Sequence, residues 1–137
     1  MSFSAYNTWY KLQKTFVSAF KSYWHYLPNR WYLLALLILQ AGLWYLAYRI
    51  FNLVGEELFV SHYNVDFGID GIGSAKRVFQ IPLITLVILF VNIGLVVTVA
   101  RKRIFHFLAH ALTLATLLLH LLAYLALMSL YLINFLA

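Results

Sequence analysis

Three histidines toward the end of this 137-residue sequence, His106, His110 and His120, have a spacing that could do chemistry. The second and third lie 4 and 14 residues after the first. On a helix all three therefore fall within about 40° of one direction. Imidazole ligates metals and haem iron, and it carries protons, so a cofactor site or a proton relay are the chemistries to weigh. Thr113, Tyr124 and Tyr131 share the direction, which makes a polar and aromatic stripe in a helix otherwise rich in Leu and Ala. Polar groups in a membrane span face protein rather than lipid, so the stripe is expected to point into a bundle or at a partner.

The interval between His106 and His120 resembles that of multi-haem cytochromes b, which place two axial ligands on one membrane helix. That resemblance implies haem b, with the opposing ligands supplied by a second copy, since neither other apolar stretch contains a His. A metal held by His106 and His110 lacks a third ligand or an intramembrane carboxylate within one chain. The non-chemical alternative is interhelical hydrogen bonding, with Gln40, Thr85 and Asn92 as partners. Thr85 and Asn92 lie seven residues apart and so on one helix face.

The elements that would position these residues follow from composition. The chain is 64% hydrophobic and 10% charged, with a mean hydropathy of +0.85. Soluble domains run at about 25% charged, so this is a membrane composition. Three apolar stretches predict an all-α integral membrane three-helix bundle, with spans at about 31–50, 80–100 and 104–134. The third stretch, 34 residues without Gly or Pro, would make a rod of about 51 Å, so a tilted or projecting helix is expected. Residues 30–137 form this membrane domain, with 51–79 as the long connection, leaving no room for a separate catalytic domain.

Residues 1–29 predict a cytoplasmic amphipathic helix lying in the plane of the interface, not a cleavable signal peptide. Ser4, Asn7, Thr8, Lys11, Lys14, Ser18, Lys21, Ser22 and His25 fall on one side. Phe3, Tyr6, Trp9, Phe16, Val17, Phe20, Tyr23, Trp24 and Leu27 fall on the other. Pro28 with Asn29 is expected to turn the chain into the membrane. Lys11, Lys14, Lys21 and Arg30 precede the first span, and Arg101, Lys102 and Arg103 follow the second. These seven residues predict headgroup contacts, and by the positive-inside rule a cytoplasmic N-terminus and an external C-terminus. The net charge of +6 thus belongs to topology and lipid, and no nucleic-acid partner is expected.

The long connection holds every acidic residue, Glu56, Glu57, Asp66 and Asp70. They do not follow the calcium-loop pattern, and Gly68, Gly71 and Gly73 do not give the dinucleotide-binding spacing. The alternation from Val60 to Asp70 predicts a short extended segment, with Gly71 and Gly73 turning the chain back. No nucleophile with a base at defined spacing is visible, and the absence of Cys removes thiolate chemistry.

The run from His62 to Asp70, followed by Gly71, Gly73 and a span opening on Ile81 and Pro82, carries one more resemblance. It is similar to a recurrent pattern in small uncharacterised multi-span membrane proteins of candidate-phylum (Patescibacteria-type) bacteria. The resemblance covers residues 60 to 137, implies a bacterial inner membrane and brings no function with it. The expected role is therefore a non-enzymatic accessory, scaffold or assembly subunit of a larger membrane complex, without a cofactor. Its partners would be lipid and other membrane subunits or a second copy. The alternatives are a homo-oligomeric haem or metal electron-transfer protein using His106, His110 and His120, and a channel or transporter subunit. For the last, no intramembrane charge or broken helix marks a path.

Overall fold

A computed structural model of the chain describes residues 3–54, 58–64, 68–100 and 102–135, with side chains described there except at 3–6, 12, 58–64 and 68–71. Arg101, Glu56, Glu57 and Asp66 lie outside the described residues. The membrane-spanning bundle is all-α. Helix α1 spans Phe3–His25, α2 Leu27–Val54, α3 Gln80–Val99 and α4 Phe105–Phe135. Each of the last three is long and apolar enough to cross a membrane, α3 being extended at its start by a 3-10 turn over Ala75–Phe79.

Ends are set by local chemistry. The chain bends at Tyr26, earlier than Pro28 and Asn29 suggest, and Pro28 sits in the first turn of α2, where a missing N–H costs nothing. The last carbonyls of α1 are satisfied from the start of α2. Asn29 Nδ2 donates to the Tyr23 carbonyl at 3.1 Å, and Arg30 Nε to that of Trp24 at 2.7 Å. Ser74 accepts the Lys76 N–H at 3.3 Å and caps the 3-10 turn, and Pro82 occupies the first turn of α3.

The connection between α2 and α3 forms a two-stranded antiparallel hairpin, β1 (Leu58–Asn64) and β2 (Gly68–Ser74), with β1 against α4. The chain reverses between Asn64 and Gly68, not at Gly71 and Gly73. Those two glycines pair within the ladder, opposite His62 and Phe59. The register shifts around His62, so the loose alternation expected from the sequence is interrupted by an irregularity of the ladder.

The spans meet along narrow seams. Buried positions on α2 are Asn29, Leu36, Gln40, Leu43, Ala47 and Ile50, and on α4 Phe105, Ala109, Thr116, His120, Ala123 and Leu127, both stepping by three, four or seven residues. Two apolar clusters result. At the hairpin end, Leu43, Ala47 and Ile50 pack with Ala75, Val78, Ala123 and Leu127. At the α1 end, Ala19 and Tyr23 of α1 pack with Val96, Val97, Ala100, Phe105 and Ala109. Small residues at these seams let the backbones approach, since dispersion rather than the hydrophobic effect draws helices together in lipid. Gly42 shows the limit: a Cβ there would overlap the ring end of Tyr124 on α4. Between the clusters lies a layer of buried polar side chains.

Candidate functional site

That middle layer is built around Gln40, one side chain that touches both other spans. Its Nε2 donates to the Pro82 carbonyl of α3 at 2.8 Å. Its Oε1 accepts from the Thr85 hydroxyl of α3 at 3.1 Å and lies 3.0 Å from Nε2 of His120 on α4. The other ring nitrogen of His120, Nδ1, faces the Thr116 carbonyl one turn back at 2.8 Å. His120 has no exposed surface, and Gln40, Thr85 and Thr116 are buried with it. One turn toward α1, Asn92 Nδ2 donates to Thr116 Oγ1, and that hydroxyl donates to the Leu112 carbonyl at 2.7 Å. The hydrocarbon core of a membrane, about 30 Å thick, is a poor source of hydrogen bonds, so these groups pair within the bundle.

Nearer α1, His110 is gripped from two sides. The Tyr26 hydroxyl, at the bend between α1 and α2, lies 2.8 Å from its Nε2. The Tyr32 hydroxyl of α2 lies 2.8 Å from its Nδ1. A neutral imidazole has one N–H and one lone pair, and a tyrosine hydroxyl complements either, so both contacts are satisfied in either tautomer. Tyr26 also stands edge-on to His106, with ring centroids 4.5 Å apart, and to Phe105 at 5.5 Å. Between the two histidine sites is a cavity of about 10 Å³ lined by Tyr23, Tyr32, Asn92, Thr113 and Thr116 among others. A cavity of about 10 Å³ with several polar walls is the size that holds one water.

The residues singled out in the sequence are thus divided. Gln40, Thr85 and His120 come together directly, while Asn92 meets Thr116 instead of a histidine. Thr113 lines the cavity, Tyr124 fills the space left by Gly42, and Tyr131 lies tilted against Phe135 with centroids 5.0 Å apart. His106 is exposed and shares the Tyr26 ring with His110, away from His120. Among the described residues, no group of three His, Cys, Asp or Glu side chains could hold a metal. A metal or haem at His110 or His120 would have to displace a hydrogen bond, because both nitrogens of each ring already face a polar partner. Lys11, Lys14, Lys21, Lys102 and Arg103 are exposed. Arg30 lies over the Trp24 ring at 5.4 Å besides its carbonyl contact, so it also locks the junction.

Sequence reasoning missed Tyr26, Tyr32 and Thr116, and it named Asn29 for the turn without its contact to the Tyr23 carbonyl. The tyrosines look like belt residues of the interface, and only the bend at Tyr26 brings one of them back over His110. Thr116 had a local signal, since it lies one turn before His120. Asn29 is buried, and its Oδ1 is the one buried side-chain oxygen without a partner among the described residues.

α1 has three faces rather than two. Ala19 and Tyr23 are buried against α3 and α4, on the border between the polar and apolar sides. Trp9, Phe16, Val17, Phe20 and Trp24 stay exposed on the apolar side. Burial raises the Tyr23 pKa above its ordinary value of 10.0, by desolvation of the phenolate. Comparison of the chain with protein-family models, with curated proteins and with solved structures found no match.

Proposed function

We propose that this chain is a small non-enzymatic subunit of a bacterial inner-membrane complex, serving in its assembly or as an accessory or scaffold. The observation that carries the reading is the contrast between a saturated inside and an unsaturated outside. Inside the spans, the histidine, glutamine and threonine side chains of the middle layer are consumed in tying helices to one another. Outside, α1 is held at a fixed junction by Ala19, Tyr23, Asn29 and Arg30, and it leaves Trp9, Phe16, Val17, Phe20 and Trp24 exposed beside Lys11, Lys14 and Lys21. An aromatic face bordered by lysines suits the headgroup region of an anionic membrane, with the N-terminus on the cytoplasmic side and the C-terminus outside. The narrow seams leave most of each span's surface for lipid or for a neighbouring membrane subunit, another protein or a second copy.

The test is the composition of the particle released from native membrane by a mild detergent. The expected result is a defined larger assembly containing this chain at fixed stoichiometry. Recovery of a lone monomer would overturn the subunit reading. An absorption spectrum and elemental analysis of the same particle test the electron-transfer alternative.

A further inference from the structure

We propose that the cavity between the two histidine sites binds one water molecule, and that this water is the polar link from α1 to the three spans. The proposal is independent of the subunit reading, since it concerns the inside of the fold alone.

The polar walls of the cavity come from all four helices: Tyr23 from α1, Tyr32 from α2, Asn92 from α3, and Thr113 and Thr116 from α4. Three of these residues have hydrogen-bonding capacity that no described residue uses. Tyr23 is only 6% exposed, yet its hydroxyl makes no hydrogen bond with a described residue, and neither does the hydroxyl of Thr113. Asn92 spends Nδ2 on Thr116 and keeps Oδ1 unused. Lipid chains give such groups nothing to bond, so leaving them unmet costs free energy that a single shared partner recovers. One group on each of α1, α3 and α4 lines the same small space.

Size and wall chemistry select the occupant. A volume of about 10 Å³ admits one water and excludes a hydrated ion, a lipid headgroup or an organic ligand. Cavities walled by Leu, Ile and Phe throughout stay dry, whereas half of the residues lining this one are polar. The donors and acceptors also balance. The water oxygen accepts from the Tyr23 and Thr113 hydroxyls, and its two hydrogens go to Asn92 Oδ1 and the Tyr32 hydroxyl oxygen. Tyr32 stands 2.8 Å from His110 Nδ1 and keeps a lone pair for the water whichever of the two donates in that contact. The ring of Tyr23 holds its place by packing against α3 and α4, and the water adds the hydrogen bonds that this packing leaves unmade. It also joins the His110 site, through Tyr32, to Asn92 and Thr116 beside His120, which no direct contact does.

The experiment is solid-state NMR of the full chain in deuterated lipid bilayers, reading magnetisation transfer from water protons to the Asn92 side-chain amide and the Thr113 methyl group. The methyl groups of Leu118, on the lipid-facing side of α4, are the dry reference. The expected result is a build-up several-fold faster at Asn92 and Thr113 than at Leu118. Thr113→Val and Tyr23→Phe each delete one hydroxyl and preserve the shape of the wall, so the helices pack as before and the water loses one partner. Transfer to the Asn92 amide should weaken in both variants. A wild-type Asn92 that builds up no faster than Leu118 would show a dry cavity and overturn the proposal. Transfer unchanged in Thr113→Val would place the water elsewhere, and transfer unchanged in Tyr23→Phe would remove the link to α1; either result overturns it as well.

Discussion

His110 and His120 stand on the same helix and the same face, yet their surroundings make them different kinds of group. Two tyrosine hydroxyls hold His110, each able to give or take a hydrogen bond, near the α1 end of the bundle. Two oxygens that can only accept hold His120, buried where three helices meet. The first is a clamp whose partners can each give or take a hydrogen bond, and the second is a knot whose two oxygens can only accept. Identical residue types on one stripe therefore do not imply one shared role. What each can do is decided by the donor capacity of the groups opposite.

The sharpest way to break this comparison is Gln40→Leu. It removes three contacts to α3 and α4 together, and is expected to cost about 2 kcal/mol of bundle stability, on the scale of polar contacts measured between membrane helices. Reversible unfolding in bicelles is the measurement, and a loss no larger than that of a tyrosine variant at the clamp would erase the distinction. Next comes Gly42→Ala, which forces the Tyr124 ring end aside where α2 and α4 approach beside the knot. A cost of about 1 kcal/mol is expected, at the lower end for overpacking because a side-chain terminus can yield. The companion Tyr124→Leu should relieve most of it in a double-mutant cycle. Tyr26→Phe and Tyr32→Phe should each cost only about 0.6 kcal/mol, since His110 keeps its other hydroxyl. A loss near that of Gln40→Leu from either would show the clamp to be as rigid as the knot.

The smallest effect concerns α1. The Tyr23 pKa is raised in the docked state by burial, so its contribution is present below 10.0 and is lost as pH rises through the higher folded value. Fluorescence of Trp24 should report release of α1 in strong alkali, and Tyr23→Phe should keep the helix docked at the same pH.

The three spans and the amphipathic N-terminal helix were legible because apolarity and charge placement are properties of one segment at a time, although the helix of the first span runs beyond the expected 31–50 at both ends. The polar partners Gln40, Thr85 and His120 were legible as well, because a polar side chain in an apolar helix has to face protein. Which of them meet was not legible. α3 is apolar on every side, so no periodicity shows that Thr85 faces Gln40 while Asn92 faces Thr116. Tyr26 and Tyr32 were hidden for the opposite reason: aromatic residues beside a span are what the interface wants in any case. The hairpin turn was misplaced because Gly71 and Gly73 signal freedom of the backbone, which an irregular strand uses as readily as a turn.

By itself, then, the sequence determined that this protein lives in a membrane, crosses it with three helices and carries one histidine stripe. Hydrocarbon imposes those outcomes on any chain of this composition, through the cost of an unpaired peptide group. The tertiary structure alone decided that the stripe is two sites and not one, because donor and acceptor partners come from other helices, and rotation of those helices about their axes is not encoded in a uniformly apolar surface.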